Sequence, residues 1–222
     1  MGTQKKGYFL KDGVTRVPGT TTVIGNCQLG SIEGLLIWAN NLGKEGKSHS
    51  EERDKAADAG TACHEMAECF AKKRVFDPSP YNRETIGKAT GAFEAFTQWA
   101  QQTKLEIVAS EVPLVSETYR YGGTLDCMLV DGKLSLGDYK TSNSVRVGML
   151  CQLAAYRNLW DENNPANMVT GGFHLLRFSK QAHPDDPVHF SHHYWSQLDI
   201  AWETFKHMLE LYELHKRLKG LL

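Results

Sequence analysis

No apolar run in this sequence approaches the roughly 18 residues that a membrane-spanning helix needs. The polar start, MGTQKKGYF, also lacks the hydrophobic core of a secretory signal peptide. The 5 cysteines are scattered and never spaced as CxxC, which argues against a disulfide framework and against a zinc or iron-sulfur site. These absences predict a cytoplasmic protein with reduced thiols and no membrane association.

A strong charge imbalance is also missing, since the formal net charge is -1. That value argues against a protein that coats nucleic acid by bulk electrostatics, but it is compatible with an enzyme that grips a few phosphates in a local cleft. The chain of 222 residues contains no Pro/Ser/Gly-rich linker, so we expect one domain around one core.

The stretch from Tyr121 to Ser142 holds the groups with the clearest chemistry. Its two β-type runs are joined by an Asp-Gly turn signal, and each run carries one carboxylate, Asp126 or Asp138. Lys140 follows Asp138 by two residues, so both side chains point to the same face of a strand. Two acids and an amine on one sheet face predict a metal-bound phosphate site.

Hydrolysis of a phosphodiester needs a hard cation to neutralise charge on the phosphoryl oxygens, and carboxylates are suitable ligands for Mg²⁺ or Mn²⁺. Asp126 and Asp138 are the predicted ligands, and the backbone carbonyl of Tyr139 is available beside them. We expect the Lys140 ammonium to orient the attacking water or to stabilise the transition state. The predicted hydrogen-bond donors to phosphate are Thr141 and Ser142.

The loop between the two runs decides whether the two aspartates share a site. A regular two-residue Asp-Gly loop would place Asp126 and Asp138 on opposite faces of the sheet. A three-residue loop over 130–132, with Gly132 left-handed, would place Asp138 opposite Thr124 and on the same face as Asp126. We therefore predict an odd-residue loop or bulge.

Five short motifs follow one another in an order typical of one nuclease superfamily. They are Gly60-Thr61-Ala62-Cys63-His64, Glu111, Gly123-Thr124-Leu125-Asp126, Asp138-Tyr139-Lys140-Thr141 and Gln152-Leu153-Ala154-Ala155-Tyr156. Together they resemble the PD-(D/E)XK nucleases, and within that superfamily the RecB-type and phage recombination exonuclease branch. A single DxK motif is common by chance, whereas five motifs in order are specific.

The resemblance implies a restriction-endonuclease-like core of the α/β (α+β) class, with a mixed central β-sheet flanked by helices. A single nuclease domain would occupy residues 1–222. It would comprise an N-terminal lead-in over 1–50, a catalytic core over 51–160, and C-terminal strands and a helix over 161–222.

The resemblance also implies roles for individual residues. The metal ligands would be His64, Asp126, Asp138 and the carbonyl of Tyr139. The catalytic residues would be Asp126, Asp138, Lys140, Glu111, Gln152 and Tyr156. Within this set Lys140 would serve the attacking water, while Gln152 and Tyr156 would support Lys140 or the phosphate. Arg53 is a candidate ligand for a terminal 5′-phosphate.

The activity implied is a Mg²⁺- or Mn²⁺-dependent DNA exonuclease, 5′ to 3′, acting in phage-type recombination or repair. Its partners would be DNA and a single-strand annealing or single-strand binding protein, in the host cytoplasm if the chain is phage-encoded. Near-zero net charge fits a homo-oligomeric ring with basic residues inside. No cysteine follows Cys151, so we expect no iron-sulfur cluster of the kind found in some relatives.

Two alternatives stay open. The first is a single-strand or structure-selective endonuclease of the same fold. The second is a non-catalytic DNA-binding module on a nuclease fold, against which the joint presence of Asp126, Asp138 and Lys140 argues.

Overall fold

The computed structural model describes residues 7–27, 33–103, 105–142, 144–178 and 190–222. The helices and strands within these ranges are, in chain order, β1 (Tyr8–Phe9), β2 (Arg16–Val17), α1 (Thr20–Cys27), α2 (Glu33–Lys44), α3 (His49–Ala71), α4 (Arg83–Thr103), β3 (Glu106–Ser116), β4 (Tyr121–Val130), β5 (Leu134–Thr141), α5 (Val147–Asn163), β6 (Phe173–Phe178), β7 (Phe190–Trp195) and α6 (Asp199–Lys219). None of these helices is long and apolar enough to cross a membrane.

The five longer strands form one mixed sheet in the order β3-β4-β5-β6-β7. β5 and β6 pair in parallel through the crossover helix α5, and the other neighbouring strands are antiparallel. Side chains of α1, α5 and α6 pack on one face of the sheet, and those of α3 and α4 pack on the other. The predicted fold class, a mixed central sheet flanked by helices, is confirmed.

Helix α3 continues without a break past Gly60. A Cβ atom added at Gly60 would lie 3.3 Å from the Thr141 hydroxyl oxygen, so the glycine allows α3 to approach β5 closely. His64 follows one helical turn later and is therefore carried toward the same strand.

The N-terminal hairpin formed by β1 and β2 packs against β4 in the central sheet. The Gly122 amide donates to the Pro18 carbonyl at 2.9 Å, and the buried Thr20 hydroxyl donates to the Gly122 carbonyl at 3.0 Å. These bonds link the N-terminal segment to the strand that carries Asp126.

Two histidines form a pair on the sheet face that packs against α4. His174 Nδ1 and His192 Nε2 are 2.9 Å apart, and the two rings are nearly parallel. The Trp99 ring packs against His192 with a centroid separation of 4.8 Å. Burial, helped by the neighbouring His192, lowers the pKa of His174 to about 4. The pair is therefore stable with His174 neutral.

We expect this pair to make the fold sensitive to acid. The folded-state pKa of His174 is about 4 and its ordinary value is 6.5, so the unfolded chain binds the proton more strongly. The stability that comes from keeping His174 neutral is complete above pH 6.5 and is lost as the pH falls toward 4. By pH 5 the free energy of unfolding should be about 2 kcal/mol lower. Urea unfolding at pH 7.5 and pH 5.0 measures this loss in the free energy of unfolding. The comparison variant is His174→Gln, which cannot titrate; an equal pH dependence in both proteins would contradict the prediction.

Candidate active site

The hairpin of β4 and β5 has an odd loop, as predicted. Val130 pairs with Leu134, so the loop contains the three residues 131–133. Gly132 adopts a left-handed conformation with φ of +69°. Both aspartates can therefore lie on one face of the hairpin.

The predicted register is wrong by one position in the loop. Gly132 lies in the middle of the loop instead of at its end, so the loop begins one residue later than expected. The ladder between β4 and β5 ends with the pair Cys127 and Gly137, and continuing this register places Asp138 level with Asp126 instead of with Thr124. The two carboxylates are thus closer to directly opposite than the sequence indicated.

The two strands separate where the aspartates lie. Asp126 Oδ2 accepts a hydrogen bond from the backbone amide of Tyr139 at 2.8 Å. This carboxylate oxygen takes the place that a main-chain carbonyl would have in a regular ladder. Asp138 is fully buried, whereas the Asp126 side chain is 13% exposed. Of the two carboxylates, therefore, Asp126 is the one that solvent reaches.

Glu111 lies across from Asp126 on β3, at an irregularity in the sheet. Its φ is +55°, an uncommon value for a residue with a Cβ atom. Leu125 and Cys127 would face the same side of a regular strand, yet they pack in different core clusters, so β4 is also irregular here. Partial burial and the Glu68 carboxylate raise the pKa of Glu111, although the residue as a whole is exposed.

Lys140 lies directly on the buried carboxylate. Its Nζ is 2.5 Å from Asp138 Oδ2 and donates to the Tyr139 carbonyl at 3.3 Å. The Lys140 side chain keeps 19% of its exposure, so the ammonium lies between Asp138 and solvent. It contacts two of the oxygen groups that the sequence suggested as metal ligands.

Burial is the largest influence on the pKa values of Asp126, Asp138 and Lys140. It raises the pKa of Asp138 to about 7, with Lys140 opposing and Asp126 adding to the shift. Burial also raises the pKa of Asp126. For Lys140, burial acts to lower the pKa, but the Asp138 and Asp126 carboxylates outweigh it and the pKa is raised. Lys140 therefore remains charged at neutral pH.

His64 reaches the site from α3. Its Nδ1 is 3.9 Å from Asp126 Oδ2, and its ring packs edge-on against the Tyr139 ring. Burial lowers the pKa of His64 to about 4, and the Lys140 ammonium contributes. At neutral pH the imidazole is uncharged, which is the form that can bind a metal ion.

Gln152 and Tyr156 reach the site from α5. Gln152 Nε2 donates to Asp138 Oδ1 at 3.2 Å and to the Tyr156 hydroxyl at 2.9 Å. One amide group therefore holds the orientation of both the carboxylate and the phenol. Burial raises the pKa of Tyr156, and the Asp138 and Asp126 carboxylates raise it further, so the phenol keeps its proton.

The donors predicted for phosphate lie outside this cluster. The Thr141 side chain packs against Gly60 of α3, and its hydroxyl oxygen is buried. The Ser142 hydroxyl donates to the Ser144 carbonyl at 2.9 Å, so it is used in a local hydrogen bond just after the end of β5. Arg53 is exposed on α3, 11 residues before His64, which is about 16 Å along a helix. The structure does not bring these three residues to the carboxylates.

The donor set fits a hard divalent cation. Asp138 Oδ2 is paired with the Lys140 ammonium alone, so this oxygen can take a cation when the lysine side chain moves. In the described part of the chain, no group of three or more His, Cys, Asp and Glu side chains has the spacing of a metal site. Mg²⁺ commonly uses one or two carboxylates, with water and substrate phosphate completing its shell.

Two residues near this cluster were assigned no role from the sequence. The Tyr8 hydroxyl lies 3.1 Å from the Thr124 hydroxyl, two residues before Asp126 on β4. The signal that could have found them is the pair Gly122-Gly123, because glycines inside a strand indicate close approach by another part of the chain.

No protein-family model and no curated protein matches the sequence. By structure the chain is similar to the alkaline exonuclease of Laribacter hongkongensis, with 12% identity and a TM-score of 0.35 over 58% of this chain and 71% of that one. The same exonuclease in complex with dAMP aligns over 75% and 88%, with 12% identity and a TM-score of 0.35. A proposed exonuclease from Eubacterium rectale aligns over 84% and 66%, with 11% identity and a TM-score of 0.42. Similarities of this size assign no role to any residue of this chain.

Proposed function

We propose that the protein is a Mg²⁺- or Mn²⁺-dependent DNA exonuclease that hydrolyses phosphodiester bonds at DNA ends. The observation that carries this proposal is the convergence of Asp126, Asp138 and Lys140 at the point where β4 and β5 separate. Burying three ionisable groups together costs stability, and such groups cluster at functional sites. When both acids are ionised, two carboxylates and one ammonium leave one negative charge, which attracts a cation; the bound cation and the ammonium could then bind a phosphate.

Asp126 and Asp138 would hold the cation, with the Tyr139 carbonyl and the neutral His64 imidazole as further candidates. A divalent cation bound there would neutralise charge on the phosphoryl oxygens and activate a water molecule. Lys140 covers Asp138 Oδ2, so its ammonium has to move aside when that oxygen takes a ligand. The flexible lysine stem permits this movement.

Lys140 itself would act on the phosphate. Its ammonium keeps its proton because the carboxylates raise its pKa, so it can donate hydrogen bonds to the charge that develops on the phosphoryl oxygens. Gln152 fixes Asp138 through Oδ1 and leaves Oδ2 directed at Lys140. The burial of Asp138 excludes water and strengthens these interactions.

The finer parts of the proposal are supported by the motif resemblance. These are 5′ to 3′ polarity, a role in phage-type recombination or repair, a homo-oligomeric ring, and a single-strand annealing or binding partner. Arg53 remains the candidate for a terminal 5′-phosphate, and its distance from His64 would place that phosphate away from the scissile bond. Arg53→Ala should then weaken the preference for 5′-phosphorylated ends, and an unchanged preference would remove this assignment.

Linear and covalently closed circular forms of one DNA duplex test the activity. With Mg²⁺ or Mn²⁺ we expect the linear duplex to be degraded from its ends and the closed circle to remain intact. EDTA should stop the reaction, because the carboxylates alone cannot neutralise the phosphoryl oxygens. Cutting of the closed circle would support the endonuclease alternative, and metal-independent binding without hydrolysis would support the non-catalytic module.

A further inference from the structure

The Tyr8 ring is held in a fixed position beside the site. It packs on Gly122 so closely that a Cβ atom there would clash with the ring. At the opposite edge of the ring, a Cβ atom at Gly19 would lie 3.1 Å from Tyr8 Cε2. Gly19 and Gly122 also form a parallel β-bridge. A ring confined in this way presents its hydroxyl in one direction, which is toward Thr124.

Tyr156 is placed on the neighbouring glycine in the same manner. A Cβ atom at Gly123 would lie 2.5 Å from Tyr156 Cε1 and 2.9 Å from the Thr20 hydroxyl oxygen. Two consecutive glycines therefore accommodate two tyrosines on opposite faces of β4, one from the N-terminal hairpin and one from α5. Both phenols lie near the strand segment that leads to Asp126.

The hydroxyl groups of these residues have protons to donate. Tyr156 accepts a hydrogen bond from Gln152, so its own proton is not used in that bond. Tyr8 and Thr124 share one hydrogen bond, in which only one of the two hydroxyls donates. The other hydroxyl can give its proton to a third group. A ligand that presents only acceptor oxygens suits such a set of donors, and a phosphodiester is of this kind.

We propose that Tyr8 and Thr124 bind a non-bridging oxygen of a DNA phosphate next to the scissile phosphate, which makes Tyr8 a substrate-positioning residue supplied by the N-terminal hairpin. This inference rests on the proposed nuclease function. It gives the lead-in segment a direct role at the site, beyond packing against β4.

Tyr8→Phe is the test, because it removes the hydroxyl and keeps the ring on Gly122. We expect KM for a linear duplex to rise about fivefold to tenfold with kcat changed less than about twofold, as for the loss of one hydrogen bond to a charged ligand. Thr124→Val should produce a similar rise. The double variant should be no worse than the more affected single variant, since the two hydroxyls act through one hydrogen bond to the phosphate. Fluorescence anisotropy with a labelled duplex in EDTA measures binding without turnover.

Tyr194→Phe is the matched control. Its hydroxyl donates to the Gly171 carbonyl at 3.2 Å on the β7 side of the sheet, so its KM should equal that of the wild type. If wild-type protein degrades DNA and Tyr8→Phe has an unchanged KM, the inference is overturned while the proposed function stands. A fall in Tm with a parallel loss of kcat would also overturn it, since Tyr8 would then be structural. Absence of hydrolysis in the wild type would reject the proposed function, and the anisotropy measurement would still test Tyr8.

Discussion

Asp138→Asn should reduce the turnover of linear DNA by about a thousandfold or more, because it removes the charged ligand at the centre of the proposed site. The substitution preserves the shape of the side chain and its Oδ1 contact with Gln152. It also leaves the ammonium of Lys140 without its carboxylate in a buried position. We therefore expect a loss of about 3 kcal/mol in the free energy of unfolding as well.

These two losses can be separated experimentally. Adding Lys140→Met to Asp138→Asn removes the uncompensated charge, so the double variant should regain most of the stability and none of the activity. Asp131→Asn is the matched control, since Asp131 is an exposed residue in the loop of the same hairpin. Steady-state kinetics and urea unfolding supply the measurements. Residual metal-dependent hydrolysis at the wild-type rate in Asp138→Asn would show that the site lies elsewhere.

Lys140→Met should lower kcat by about a hundredfold to a thousandfold while changing the Kd for DNA by less than about threefold. The reason is that the ammonium is expected to act on charge that develops only in the transition state. Rapid-quench measurement of turnover and anisotropy measurement of binding separate the two quantities. Equal losses in kcat and in affinity would instead indicate a simple phosphate-binding lysine, and Lys140→Arg tests whether positive charge alone is sufficient.

The two single variants should also differ in stability. Removal of Lys140 leaves Asp138, whose pKa is already raised to about 7, so this carboxyl can become neutral by taking up a proton. Removal of Asp138 leaves an ammonium whose ordinary pKa is 10.5, so losing its proton at pH 7 is costly even though burial favours the neutral form. Lys140→Met should therefore be the less destabilising of the two substitutions at pH 7.

The sequence could place the central residues of the candidate site together, because spacing along a strand determines which side chains share a face. Asp138 and Lys140 are two residues apart, and an odd loop was required for Asp126 to join them. The same reasoning could not fix the register, since left-handed glycine is compatible with the middle or the end of a three-residue loop. The structure places Gly132 in the middle of the loop, which fixes the register. That placement depends on how the whole hairpin packs in the sheet.

Contacts between distant segments were harder to predict. The hydrogen-bonding partner of Ser142 depends on how β5 ends, and its hydroxyl donates to Ser144. The left-handed conformation of Glu111 depends on the pairing of β3 with β4, which no local pattern reports. His64 was proposed from the motif resemblance, and its proximity to Asp126 requires the close approach of α3 to β5 at Gly60.

The hydrogen bond between Tyr8 and Thr124 joins positions 116 residues apart, and it has a consequence for synthesis of the protein. The hairpin at the start of the chain emerges from the ribosome long before β4, the strand on which it packs. Closing so long a loop is entropically costly and slow compared with local folding. Gln152 and Tyr156 come from α5, so the complete candidate site forms only after α5 has also been made, and a nascent chain that lacks α5 cannot yet act by the proposed mechanism.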